Sequence, residues 1–143
     1  MTKRYDIEKS IGFIIYRTAL AMKATLHRTL KERGFDITPE QYGILNLLWE
    51  KEGLSQQEIS KILFKDKPNV SRMLDALERK KLISRQATDR RRYSISLTGA
   101  GKTLIEKTRP IGLELGEKAI SGLLAREIEA LESMLNKIYG NFS

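Results

Sequence analysis

The strongest constraint on the fold is the spacing of two helix starts in the middle of the chain. Ser55-Gln56-Gln57-Glu58 has the form of a capping box, and Leu54 and Ile59 are placed as a hydrophobic staple across it. The helix it opens is short, with Ile59, Ile62 and Leu63 expected to face inward and an end near Phe64. Asp66 then caps a second helix, and Pro68 sits in its first turn, where a missing N–H is harmless. Val70, Leu74 and Leu77 form the buried stripe of this second helix, which ends around Lys80 or Lys81. Two helices joined by about three residues have helix-turn-helix spacing. After Leu82 the period changes: Ile83 and Arg85, then Tyr93, Ile95 and Leu97, alternate with polar residues as strands do. The polar stretch Gln86 to Arg92 reads as the tip of a β-hairpin, and a hairpin at this place is a wing.

The flanks are helical. Residues 7 to 33 read as one long helix closed by Gly34. Thr38-Pro39-Glu40-Gln41 opens another, carrying Ile44, Leu45, Leu48 and Trp49 and stopping near Gly53. Thr98 starts a helix with Leu104, Thr108, Ile111 and Leu115 on one stripe, weakened by Pro110, Gly112 and Gly116. A last helix runs from about Leu124 to Tyr139. The predicted class is mainly α with a small β-hairpin: a winged helix-turn-helix domain plus N- and C-terminal dimerisation helices. The 143 residues suit a single domain, with 35–103 as the winged part and 1–34 and 104–143 as the dimerisation helices. The apolar stripes of the terminal helices have no partner inside a small winged domain. Ile7, Ile11, Ile14, Ile111, Leu115, Ile128, Leu131, Leu135 and Ile138 are therefore expected to bury against a second subunit.

Charge points to the partner. The chain holds 26 Lys and Arg against 18 Asp and Glu. Between Ser55 and Thr98 there are 11 basic and 5 acidic residues, so most of the excess lies in the winged part. Such a patch suits a polyanion. No apolar run reaches the ~18 residues of a membrane span, and no secretory leader opens the chain, so a cytoplasmic protein is expected. There is no cysteine and only one histidine, His27. Disulfides, thiolate metal sites and thiol oxidation sensing are excluded, no cofactor is implied, and no catalytic constellation stands out. Gly99-Ala100-Gly101-Lys102-Thr103 imitates the end of a phosphate-binding loop, but Ser96 stands where the first glycine belongs, and a hairpin precedes it.

In this order and at these spacings, the sequence resembles the MarR family of bacterial regulators. The resemblance is carried by Thr38-Pro39-Glu40-Gln41-Tyr42, Leu54-Ser55-Gln56-Gln57-Glu58-Ile59, the run Val70 to Glu78, Lys81-Leu82-Ile83, Asp89-Arg90-Arg91, Leu97-Thr98 and Gly101-Lys102. It implies a triangular homodimer whose terminal helices intertwine and whose two winged domains reach one pseudo-palindromic DNA site. It also implies that Asp89 braces Arg91, which enters the minor groove. Only Gln86, Ala87 and Thr88 separate Arg85 from Asp89, a shorter wing tip than many members have.

The helix after Asp66 is then the recognition helix, with Asn69 and Arg72 as candidates for base contacts and Lys67 and Ser71 for phosphate or base. Ser55, Gln56 and Gln57 start the helix that crosses the backbone, where first-turn N–H groups suit a phosphate. On alternation, Arg90 and Arg92 share a face and are candidates for phosphate contacts. Many members of the family release DNA on binding a small, often aromatic and anionic, effector, and Tyr16, Met22, His27, Tyr42 and Trp49 are the candidate cleft. The expected function is a sequence-specific double-stranded DNA-binding regulator, a repressor more than an activator. The competing expectation is a winged-helix architectural or protein-interaction module without sequence preference.

Overall fold

A computed structural model describes residues 6–88 and 93–143. They form two compact units, one up to Ile111 and one from Gly112 to Ser143. The elements are a 3₁₀ turn (Ile7–Lys9), α1 (Ile11–Glu32), α2 (Pro39–Glu50), α3 (Gln56–Leu63), α4 (Lys67–Arg79), β1 (Ile83–Ala87), β2 (Tyr93–Leu97), α5 (Gly99–Ala119) and α6 (Ala125–Gly140).

Local chemistry sets most of these boundaries. The Thr38 hydroxyl accepts from the Gln41 N–H, and the Gln41 side chain accepts from the Thr38 N–H, both at 3.1 Å. Ser55 and Glu58 make the same reciprocal pair at the head of α3. The Asp66 carboxylate accepts from the Asn69 N–H at 2.8 Å and starts α4. Three helices end in the same left-handed turn. After α1, Gly34 takes φ +84° and the Phe35 N–H reaches back to the Leu30 carbonyl. After α3 and α4 the left-handed position is filled by Phe64 and Lys81, which carry the Cβ penalty that glycine avoids.

The expected single helix over 7–33 is interrupted. Ser10 is extended (ψ 140°), and its hydroxyl accepts from the Phe13 N–H, so α1 begins at Ile11 with its own cap. A serine that can cap competes with continuation of the helix.

The core of the first unit is built by Leu30, Ile44, Leu45, Leu48, Ile59, Val70, Leu74, Leu77, Ile95 and Ile105, all closed to solvent. Helix α2 packs against α1 and α4, and α3 against α4 and β2. Ile62, expected inward, is 45 % exposed on the outer side of α3. Eight residues make little more than two turns, and Ile59 and Leu63 already occupy the inward stripe. The hairpin pairs Ile83 with Leu97, Arg85 with Ile95 and Ala87 with Tyr93. Leu54 adds a bridge to Ile95, so the segment entering α3 extends the small sheet.

The hairpin and α5 are joined at Leu82. Its carbonyl accepts from the Thr98 N–H at 3.0 Å, while the Thr98 hydroxyl donates to the Lys81 carbonyl and accepts from the Gly101 N–H. A Cβ at Gly101 would lie 2.1 Å from the Leu82 oxygen. The glycine of the phosphate-loop look-alike is thus a contact point between backbones. Helix α5 runs through Pro110 unbroken.

Polar ties hold α1 and α4 to α2. Lys23 pairs with Glu40, and the Lys80 ammonium donates to the Asp36 carbonyl at 2.6 Å and to the Gln41 side chain at 3.4 Å. Partial burial pushes the Glu40 carboxyl up. The Lys23 hydrogen bond, its own backbone N–H and the charges of Lys23 and Lys65 outweigh that and leave it lowered.

Two measurements check this packing. Replacing a helical glycine with alanine normally stabilises by up to about 1 kcal/mol. Gly101→Ala should instead destabilise by roughly 1–3 kcal/mol, because the added methyl meets a carbonyl oxygen, as urea unfolding will read. Carboxyl titration by NMR should place Glu40 below the usual glutamate range, and Lys23→Met should raise it. With the folded value depressed, the stabilisation from Glu40 is present above the unfolded value and is lost as pH falls through the folded one.

Candidate nucleic-acid interface

The stripe of Val70, Leu74 and Leu77 fixes the rotation of α4 and turns its polar first turns outward. Lys67, Asn69 and Arg72 are exposed and Ser71 is half-buried. A chain of side-chain hydrogen bonds runs along the outer edge. Asn69 Nδ2 donates to Asp66 Oδ2 at 2.8 Å, and Arg72 Nη2 donates to Asn69 Oδ1.

The start of α3 is held beside this edge. Gln56 Nε2 donates to the Lys67 carbonyl at 3.4 Å, so part of its hydrogen-bonding capacity goes to joining the two helices. Ser55 is half-buried and caps α3, while Gln57 is exposed. The candidates Ser55, Gln56, Lys67, Asn69, Ser71 and Arg72 are thus placed on two adjoining helix starts. Asp89, Arg90, Arg91 and Arg92 lie outside the described residues.

One residue of this region was not singled out from the sequence. Arg85, on β1, is only 19 % exposed in its side chain. Its Nη2 donates to Asp75 Oδ1 at 2.8 Å, and its Nε lies 3.8 Å from Glu78 Oε2. The root of the wing is therefore clamped to two carboxylates of α4. The alternating pattern already put Arg85 on the inward side with Ile83, Ile95 and Leu97. An arginine there needs an acid, and Asp75 and Glu78 are three apart on one face of α4.

The candidate cleft residues fall differently. Tyr16, Met22 and His27 are exposed on α1; Tyr42 is half-buried on α2. Trp49, at the end of α2, has the Arg109 guanidinium 5.8 Å from its ring centre. Arg109 also donates to Asn46 Oδ1 at 3.5 Å, and Asn46 donates to the Tyr42 carbonyl. Arg109 is a further residue that the sequence reading passed over.

Of the expected dimer contacts, Ile7, Ile11 and Ile14 are exposed, Ile11 by 61 %. Leu131 and Leu135 are exposed on α6, Ile128 and Ile138 are half-buried, and no residue of α6 is fully buried. Leu115 is half-buried on α5. Ile111 departs from the expectation: it is 2 % exposed, already covered within a single chain. Among the described residues, no helix is long and apolar enough to cross a membrane and no acid–histidine group is placed to hold a metal.

The sequence pattern of the MarR family matches residues 35–92, from the entry to α2 to just short of β2. The chain is 31 % identical to the organic hydroperoxide resistance transcriptional regulator of Bacillus subtilis, over 97 % of this chain and 98 % of that one. The chain belongs to the MarR family. Its fold is that of the family's winged-helix regulators. It is similar to Staphylococcus aureus MepR in a DNA complex (32 % identity, TM-score 0.85, covering 95 % of this chain and 99 % of that one). It is also similar to a mutant of Escherichia coli MarR complexed with operator DNA (25 % identity, TM-score 0.83, covering 96 % and 99 %). The Bacillus subtilis relative is a transcriptional regulator, and MepR is a transcription regulator of a multidrug efflux pump.

Removing Arg85 leaves Asp75 and Glu78, each about half exposed, without their shared cation. Arg85→Met should lower stability by about 0.5–1 kcal/mol, since solvent screens the half-exposed acids. Adding Asp75→Asn to that variant should have a smaller effect than it has alone, a coupling that a double-mutant cycle in urea will measure.

Proposed function

We propose that this protein is a transcriptional repressor that binds a pseudo-palindromic operator in double-stranded DNA as a homodimer and is released by a small aromatic or anionic ligand. One observation carries the reading. The first turns of α4 expose Lys67, Asn69 and Arg72 while the opposite stripe is closed to solvent, and the cap of α3 is docked beside them. A helix held this way offers its N-terminal side chains to a major groove and leaves the neighbouring helix start for a phosphate. Arg72 is the reader of a guanine and Lys67 a phosphate contact, with Ser71, Gln56 and Gln57 beside them. By resemblance, Arg91 of the wing takes the minor groove, with Asp89 bracing it and Arg90 and Arg92 on phosphates.

The exposed apolar residues of the 3₁₀ turn, α1 and α6 support a second copy as the partner, because a lone chain leaves Ile7, Ile11, Leu131 and Leu135 in water. Two-fold pairing sets half-sites about one helical turn apart, ~10 bp. MepR and MarR in their DNA complexes support the DNA partner. The effector reading rests on Arg109, a cation over Trp49 and beside Asn46, which suits a planar carboxylate. Such a regulator acts in the cytoplasm, where the DNA is.

Gel-shift titration against promoter fragments, beginning with the protein's own, tests the reading. Specific fragments should be retained at salt concentrations that strip random duplex. Equal affinity for every duplex at moderate salt would sink it in favour of an architectural module. Arg72→Ala should weaken specific binding by ~1–3 kcal/mol and relax one base position, whereas Lys67→Ala should weaken all duplexes alike and reduce the salt slope by about 1. Sedimentation should give a dimer, and Ile11→Glu with Leu135→Glu should shift it toward monomer. Aromatic carboxylates should lower operator affinity in the parent and not in Arg109→Met.

A further inference from the structure

The outer edge of α4 is a ladder whose polarity is chemically forced. A carboxylate only accepts hydrogen bonds and a guanidinium only donates them. Asn69 lies between Asp66 and Arg72, so it must turn its NH₂ toward Asp66 and its oxygen toward Arg72, and that is the arrangement seen. Asp66 has two oxygens and uses both: Oδ1 caps the helix through the Asn69 N–H, and Oδ2 holds the Asn69 side chain. One aspartate therefore fixes both the start of the helix and the direction of the amide that grips the arginine.

We infer that Asn69 is a positioning residue for Arg72 and not an independent reader of adenine, and that selectivity for the guanine read by Arg72 is set from Asp66. This deepens the DNA-binding reading above and rests on it. A free arginine on a surface helix has several rotatable bonds, and ordering it on a base opposes binding. Arg72 tethered through one nitrogen to Asn69 has that freedom reduced before DNA arrives, with its other N–H groups left for a guanine edge. The charge of Asp66 sets the direction of the whole ladder. An amide at position 66 can still cap with its oxygen, but it then sets an NH₂ against the NH₂ of Asn69. Turning Asn69 over relieves that clash and points two donors at Arg72.

The test is selection from a random duplex pool by the full-length protein, with base preferences resolved position by position. The proteins compared are the parent, Asp66→Asn, Asn69→Ala, Arg72→Ala and the Asn69→Ala/Arg72→Ala double variant. Asn and Asp are comparable helix caps, so thermal melts should show Asp66→Asn folded, and Asn69→Ala leaves the cap in place. The expected result is that Arg72→Ala abolishes preference at one guanine. Asp66→Asn and Asn69→Ala should flatten that same guanine, by roughly tenfold, with other positions unchanged. Asn69→Ala should add nothing once Arg72 is gone. The inference is overturned if Asn69→Ala acts on a different base and adds to Arg72→Ala, if Asp66→Asn keeps the full guanine preference, or if Arg72→Ala changes no guanine. A parent protein that enriches no sequence overturns the DNA-binding reading itself, and the inference with it.

Discussion

The burial of one side of α4 governs the rest. Val70, Leu74 and Leu77 are sealed among residues of α2, α3 and the hairpin, and the helix cannot turn about its axis without drawing polar groups into that core. At about 100° per residue, a stripe centred on those positions places Arg72 on the far side of the cylinder and Asn69 on its flank. The chemistry displayed by the helix is therefore decided by residues that never meet a ligand. The cap contributes the other coordinate. Asp66 fixes where the helix begins, and so how far along its axis the display extends.

What α4 displays is of use only if its neighbours keep register with it, and the structure ties it down at both ends. At the N-terminus Gln56 reaches the Lys67 carbonyl; at the C-terminus Lys80 reaches the loop before α2. Between them, Asp75 and Glu78 hold the root of the wing through Arg85. The hairpin is then anchored behind by the Leu82 carbonyl, which Thr98 and the bare Gly101 approach closely. A two-stranded hairpin is marginal by itself. Here an ion pair on one side and a backbone junction on the other give its base a fixed bearing on α4.

The parts of this arrangement readable from sequence are those that local chemistry decides. Capping boxes at Thr38 and Ser55, the Asp66 cap and the stripe on α4 are each contained within a few residues. Departures occur where a distant contact or a competing local bond decides. Ser10 caps instead of continuing a helix, a choice between two local outcomes that apolar spacing did not separate. Ile62 satisfied a helical stripe that an eight-residue helix was too short to bury. The Leu54 bridge to Ile95 depends on a pairing across some forty residues of chain, and nothing near Leu54 signals it. Arg85 is intermediate: its inward register was legible, and its acids were legible, but their meeting depends on the angle between a strand and a helix. Ile111 read as one more member of a surface stripe, yet its own chain covers it.

The exposed apolar residues raise a question of stability as much as of assembly. Helix α6 has sixteen residues, and none of them is fully buried. Helices of that length are marginal in water on propensity alone, and most helical stability in proteins comes from packing an apolar face. Leu131, Leu135 and the half-buried Ile128 and Ile138 form such a face, and the start of α1 with the 3₁₀ turn before it carries further exposed apolar residues at Ile11, Ile14 and Ile7. On the dimeric reading, the second subunit supplies the missing packing, so association and the order of these helices are one equilibrium. On that same reading, a change in how two such chains pair is a change in the spacing of their α4 helices. A ligand acting near Arg109 and Trp49, far along the chain from α4, would need only a different affinity for two spacings to change which duplex the pair can straddle.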